Sequence, residues 1–548
     1  MALTNLPSLP YRDGIRKART EVFSGYDHNI GAGDGTIWDE GNMVSDYYPV
    51  MGTRPGRYAY RTVTSPHGIY ALEGLWWVEG AALYHDRMDG QGPSLVTSVT
   101  EGEKQFAAMG RRLLVWPDKI VITVADSSHS VKSLGATVSA VCTIKDGTYA
   151  GEEAEKNTIE STGRDWSLSF KVGDAVHITG TGIDETPIIR EIDGDELRFY
   201  ENTFEITGTF SLTLAREVPD LDFVCVNENR CWGCKKDTIY ASKLGDPENW
   251  NVFDGVSTDS YAVDAGSDGD FTACCSYLGY PVFFKEEHIY KVYGSRPSNF
   301  QLMGSATMGV KEGSHKTLAI AGETLYYLSR SGIVAYAGGV PENISKAFGT
   351  DRFSGGAGGS DGLKYHVVMK HEGVTPAEYE HFVWDSRRAM WHREDTLGAE
   401  GFAFWGGELW MLSSKIGSGA SGKLFGLGLA AAPTGAAAEE DMESFVETND
   451  FVENDPNRKG TAKLQLRGEL GEGASLIVKI KFDSGRAGAP SDTQGGWETV
   501  KTLTATVKRS WYLPIIPRRS DHFRIRLEGV GEWRLYSLVR ENYSGSEI

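Results

Sequence analysis

Five of the six cysteines fall within 51 residues: Cys225, Cys231, Cys234, Cys274 and Cys275, with Cys142 apart. Cys231-Trp-Gly-Cys234 has the spacing of half a zinc or redox site, but a structural zinc needs four ligands, and a second CxxC would have to supply the rest. The second element here is an adjacent pair, which ligates poorly. A strand running through the first element would also send Cys231 and Cys234 to opposite faces. The cysteines therefore read as small buried hydrophobes of a protein folded in the cytoplasm, too few and too uneven for a disulfide framework. The twelve histidines form no HxH, HExxH or HxxxH cluster, which leaves a zinc hydrolase without footing. Among carboxylates, Asp385, Glu394 and Asp395 beside Trp384 and Trp391 make the best group for paired acid–base work on a glycoside. The competing reading is blade turns over a tryptophan core. DAGSDGD (264–270) has calcium-loop composition without the spaced ligand pattern, and reads as a solvated turn. No cofactor and no metal is implied.

What positions these residues is a chain of 548 residues with 66 glycines, 60 aromatics and a formal charge of −20. So much glycine with Trp and Tyr favours short strands joined by tight turns and argues against a helical fold. No stretch approaches the roughly 20 apolar residues of a membrane span, so no membrane partner is expected. The opening MALTNLPSLPYRDGIRKARTEVF has no apolar run behind its charges and does not read as a signal peptide. An acidic balance argues against a protein that wraps nucleic acid through its phosphates.

One pattern recurs: apolar strand, turn, aromatic strand, turn, third strand. It centres on Gly74, Gly110, Glu228, Gly279, Gly322 and Gly407, with a further unit over HVVMKHEGVTPAEYEHFVWDSRRAMWHRED. Spacings of 36 and 43 residues, and of 85 for two units, match propeller blades of about 40 residues. The interval from Gly110 to Glu228 is 118 residues, and its excess coincides with an acidic, alternating stretch. The expected fold is all-β: a β-propeller of about seven blades, an inserted small β-barrel or sandwich, and a C-terminal β-sandwich. The divisions are an extended arm and opening of the first blade (1–60), first blades (61–126), inserted domain (127–216), remaining blades (217–430), linker (431–444) and sandwich (445–548). Either an N-terminal segment or FVETNDFVE could supply a closing strand for the propeller.

Residues 441–548 hold 16 basic and 16 acidic residues, so the −20 belongs to residues 1–440. Within the sandwich, Lys501, Lys508, Arg509, Arg518, Arg519, Arg524 and Arg526 face a single acid, Asp521. A locally basic end on an acidic body suits head-to-tail association, since opposite patches attract and orient. These seven residues are the candidate assembly surface; a solvated strand face is the other reading.

Three segments resemble the propeller-containing tail proteins of bacteriophages, of the tail nozzle (tubular) and packaged-DNA stabilisation type. They are GNMVSDYYPVMGTRPGRY, NRCWGCKKDTIYASKLGDPENWNVF, and FFKEEHIYKVYGSRPSNFQ with the GVKEGSHKTLAIAGETLYYLSRSGIVAY that follows. The resemblance covers roughly residues 36–60 and 220–345. It implies a structural subunit without catalysis or cofactor, forming a ring, commonly a hexamer, around a channel that DNA crosses without sequence-specific contact. Neighbouring tail or neck proteins are the implied partners, and the virion tail, assembled in the bacterial cytoplasm, the implied location. Tyr47, Tyr48 and Arg54 are its candidate contacts at the opening of the first blade. Two other functions stay open: a phage protein that recognises a receptor or carbohydrate, needing exposed aromatics beside Asp and Asn, and a propeller glycosidase or lyase, needing carboxylates that converge on the axis.

Overall fold

A computed structural model describes residues 16–544 except 30, 127, 147–156, 181, 201–203, 415–418, 420, 429–435, 440–441, 453–458, 483–495, 505–506 and 517–518. Among the described residues the fold is all-β, with only four short 3-10 turns besides strands.

Six four-stranded antiparallel sheets and a seventh whose three consecutive strands are joined by strands from elsewhere in the chain succeed one another as blades 1 to 7: residues 66–98, 105–133, 223–264, 273–306, 319–343, 353–393 and 399–427. Each hairpin places apolar residues on both faces of its blade, which no blade can bury alone. Seven hydrophobic clusters lie one at each seam, from Trp76, Leu113 and Ile122 between blades 1 and 2 to Ile69, Trp77 and Trp410 between blades 7 and 1. The ring is therefore closed. Turns follow local chemistry: Glu228 and Asn229 both take positive φ, as a tight two-residue hairpin requires. The innermost strand of blade 6, Phe353–Ser360, is glycine-rich because its neighbours crowd it. A Cβ on Gly358 would lie 2.5 Å from the Thr317 carbonyl, and one on Gly359 would lie 2.3 Å from Phe402 Cβ.

The closing strand is the N-terminal one. Tyr58–Thr64 pairs with Ser421–Leu427 and so completes blade 7, while Glu443–Thr448, within the FVETNDFVE region, pairs instead inside the sandwich. The remainder of the arm is sewn into the C-terminal module. Arg16–Thr20 and Met51–Thr53 pair with Trp533–Ser544, and Ile37–Gly41 pairs with Glu443–Thr448. The sandwich therefore consists of a seven-stranded and a five-stranded sheet, each holding strands from both ends of the chain. They share one core, in which Phe23, Ile37 and Met51 of the arm meet Leu464, Val478 and Trp533.

Between blades 2 and 3 lies the insertion, a single seven-stranded antiparallel sheet wrapped around Trp166, Phe170, Leu197 and Leu214. An isolated bridge between Ala175 and Ile188 brings its two ends together.

Candidate binding and junction sites

The arm meets the propeller at blade 6 in a buried ionic knot. Arg57 follows Arg54-Pro-Gly, which leads the chain from the sandwich into the closing strand. Its guanidinium donates to Glu394 at 2.5 Å, to Asp395, and to His381 Nδ1 at 3.1 Å. Burial opposes an ionised Glu394, and its neighbours, His381 and Arg57 first among them, override it, holding the carboxyl well below the usual carboxylate range. Burial likewise pushes His381 down to about 3, so the ring is neutral at physiological pH. Because Nδ1 of His381 accepts from Arg57, its proton sits on Nε2 and points to His366 Nδ1, 3.2 Å away.

His366, His381 and Glu394 bring three potential metal ligands within 4.8 Å of one another. The donor set does not suit a cation, because both His381 nitrogens are committed and the Arg57 guanidinium already occupies the carboxylate. The carboxylate group that the sequence singles out is thus divided among arm contacts. Asp385, buried, accepts from Ser45 Oγ at 2.7 Å and caps Arg387. Glu394 and Asp395 hold Arg57, and Trp391 fills the core between blades 5 and 6.

Tyr47, Tyr48 and Arg54 all make contacts within their own chain, with Tyr48 still exposed. The Arg534 guanidinium stacks 4.0 Å from the Tyr47 ring, and that of Arg388 lies 4.8 Å from Tyr48. Arg54, buried, makes a bidentate pair with Glu439 at 2.7 and 2.9 Å and donates to Asn42 Oδ1.

The basic surface divides. Lys501, Lys508 and Arg509 are exposed, with Lys508 over the Tyr536 ring at 3.7 Å. Arg524 pairs with Asp450 at 2.7 Å and Glu447 at 3.1 Å, and Arg526 with Glu528 at 2.7 Å and Glu447 at 3.3 Å. Those last two charges are answered within the chain and drop out of the candidate surface. Arg519 lies in a two-residue strand paired with Lys459–Leu470, and Arg518 is outside the described residues.

On the propeller axis, residues at the starts of the innermost strands meet. His315 Nε2 lies 2.6 Å from Glu103 and 3.1 Å from Gln105, and its ring is 4.9 Å from that of Phe223. Lys316 reaches Glu103 at 3.3 Å and Glu400 at 3.7 Å. Burial would raise the Glu103 carboxyl, but the His315 hydrogen bond and the Lys316 charge bring it to about 2. Side chains from blades 2, 3, 5 and 7 thus fill one mouth of the axis.

Cys231 packs in the seam toward blade 2 and Cys234 in the seam toward blade 4, the opposite faces that strand alternation requires. In the DAGSDGD turn the position of a cation is taken by the buried Lys285 ammonium, which contacts Asp237 and lies 2.8 Å from both the carbonyl and the hydroxyl of Ser267. Gly358-Gly359-Ser360-Asp361-Gly362 has nucleophile-elbow spacing that motif reading passed over. It forms a blade hairpin in which Ser360 Oγ accepts from Gly362 N at 2.9 Å, without the strand–turn–helix setting such a serine needs.

The inserted sheet docks on blade 3 through the SKLGDPENW stretch. Arg230, buried, gathers the loop by donating to the carbonyls of Ser242 at 2.9 Å and Ser257 at 2.8 Å. Asn249 then bonds Asp174 at 2.9 Å and Asp246 at 2.8 Å, while Arg216 holds Asp174 at 2.6 Å. Beyond this buried contact the two modules diverge around an open cleft of about 600 Å3.

No protein-family model and no curated protein matches the sequence. Solved structures similar to it include the phage phi92 endosialidase, at 10% identity over 74% of this chain and 75% of that one, with a TM-score of 0.29. A Trypanosoma rangeli sialidase with 2,3-difluorosialic acid matches at 8% identity over 95% of both chains, TM-score 0.25. Porphyromonas gingivalis dipeptidyl peptidase 4 matches at 11% identity over 78% of this chain and 60% of that one, TM-score 0.23. The expectation of a chain without catalysis does not stand beside these neighbours, which are enzymes. At such identities and scores they carry no reaction over to this chain. Among the described residues no helix is long and apolar enough to cross a membrane.

Proposed function

We propose that this chain is a subunit of a bacteriophage tail or neck, nozzle- or connector-like, that assembles with copies of itself into a ring, a hexamer by the family pattern, and docks neighbouring tail proteins. The observation that carries the reading is the unequal charge of its two main bodies. The net −20 belongs to residues 1–440, while the arm-completed sandwich presents Lys501, Lys508 and Arg509 to solvent. Ring contacts between identical subunits join two different surfaces, and an acidic face meeting a basic one orients them. The tail-protein motifs add support, because NRCWGCKKDTIYASKLGDPENWNVF is the segment that anchors the insertion. Genomic DNA would cross the space enclosed by the ring of copies, since Glu103, His315, Lys316 and Glu400 occupy the propeller's own axis. The virion tail is the corresponding location.

Electron microscopy and native mass spectrometry of the purified chain, alone and with its tail or neck partners, test the reading. A closed oligomer is expected, weakened in the triple variant Lys501→Glu, Lys508→Glu, Arg509→Glu. A chain that stays monomeric under all these conditions rejects the ring. A ring indifferent to the triple variant removes the charge argument.

A further inference from the structure

The cleft between the inserted sheet and blade 3 has walls of two kinds. Two aromatic residues line it with exposed surface, Tyr200 at 43% and Phe253 at 60% exposure. Around them are the amide of Asn251, the carboxylates of Asp254 and Glu217, and the imidazole of His177. Single exposed apolar residues need no explanation. Two rings lining one concavity at a module boundary, interleaved with side chains that accept and donate hydrogen bonds, have the make-up of a small-molecule site.

Both walls are held before any ligand arrives. His177 directs one ring nitrogen to Glu217 at 2.9 Å and the other to Asp184 at 2.8 Å, and these two hydrogen bonds raise its pKa and hold the ring in place. On the opposite wall, Asn251 and Phe253 follow Trp250, whose indole donates to the Pro247 carbonyl at 2.8 Å, and Asn249, which is locked to the buried Asp174. The Arg216–Asp174–Asn249 contact therefore sets the distance between the walls, a preorganisation that favours binding.

We propose that this cleft binds an uncharged oligosaccharide of two or three residues. A pyranose offers what the walls answer: C–H faces that lie on aromatic rings, and hydroxyls that both donate to carboxylates and accept from an amide. The charge selects among sugars. Glu185, Glu217 and Asp254 outnumber His177 on the cleft surface, so sialate, uronate or phosphate meets like charge and is rejected. The site is remote from the propeller axis and does not depend on the ring proposed above.

The test uses the full-length chain with maltotriose, cellotriose, N-acetylchitotriose and 3′-sialyllactose, by saturation-transfer NMR and titration calorimetry. At least one neutral trisaccharide is expected to bind, with 3′-sialyllactose at least about tenfold weaker. The double variant Tyr200→Ala, Phe253→Ala is expected to lower that affinity about tenfold or more, with an unchanged melting temperature because both rings are exposed. Asn251→Ala serves as an independent second probe. Absence of binding by all three neutral sugars overturns the proposal. So does binding that survives both variants, or sialyllactose bound as tightly as the neutral sugars.

Discussion

At the seam between propeller and sandwich, Arg57 lies buried among Glu394, Asp395 and His381, and Arg54 closes on Glu439 beside it. At the seam between propeller and insertion, Arg216 lies buried against Asp174 with Asn249 alongside. Both seams thus bury an arginine–carboxylate pair; at the first the pair itself crosses from arm to propeller, whereas at the second Arg216 and Asp174 both belong to the insertion and Asn249 makes the crossing bond. They differ in what surrounds that contact. The arm runs on from Arg57 into the closing strand and backward into both sandwich sheets, so the chain is strand-paired on both sides of the first seam. Among the described residues no strand pairing crosses the second, and clefts of about 600 and 710 Å3 open on its flanks. A seam continued by strand pairing becomes a structural weld, whereas one pinned at a point leaves concave surface where a ligand can sit.

Cutting the weld should have the largest effect. Arg57→Ala strands Glu394 and Asp395 without their cation, a loss of about 3–5 kcal/mol. Denaturant melts should show the sandwich and propeller unfolding as separate transitions, with earlier proteolysis in the arm. A single transition at the wild-type midpoint would mean that strand pairing alone makes the weld. Asp174→Asn keeps the shape at the pinned seam but weakens its bonds to Arg216 and Lys171 N. A smaller loss of about 1–3 kcal/mol is expected, confined to the insertion, and hydrogen exchange there measures it.

Acid should attack the weld by a calculable route. His381, pushed down to about 3 by burial, takes up a proton more readily unfolded than folded. Its contribution is fully present above the ordinary histidine range near pH 6.5. It is lost as pH falls from there toward 3, at about 1.4 kcal/mol per pH unit. Replacing His381 with Gln should flatten the stability–pH curve in that window, and an unaltered curve would assign the acid sensitivity elsewhere. The smallest effect belongs to the exposed surface, where Lys501→Glu, Lys508→Glu and Arg509→Glu should each alter folding stability by less than about 0.5 kcal/mol, so that any change in assembly is read directly as an interface effect.

The propeller is legible in the sequence because its signal is local. A glycine-marked turn and an aromatic second strand recur in unit after unit, and strand alternation places Cys231 and Cys234 on opposite seams. The arm's destination is not legible, since nothing in IWDEG or YAYRTVT names a partner near the other end of the chain. Charge counting errs for a related reason. Arg524 and Arg526 read as part of a free basic patch, but the register brings Glu447 opposite Arg526 from another strand. The carboxylates beside Trp384 and Trp391 do gather near one another, yet their arginine partner belongs to the N-terminal arm. The Tyr200–Phe253 cleft is invisible in sequence, because it exists only where two modules diverge.

The pairing of Tyr58–Thr64 with Ser421–Leu427 also governs the order in which the molecule can be made. During synthesis the closing strand Tyr58–Thr64 leaves the ribosome before any complete blade, and its partner Ser421–Leu427 emerges only after the first six blades. Blades 1 to 6 can form as they appear, but the circle stays open, with an unpaired edge, until residue 427 is available. The sandwich waits longer still, because strands of its sheets are the earliest and the latest segments of the chain. The protein therefore cannot mature from one end to the other. Its beginning is placed last, in a step with the large loop-closure entropy that slows folds rich in distant contacts, and a chain truncated anywhere before residue 427 would be left with an open ring.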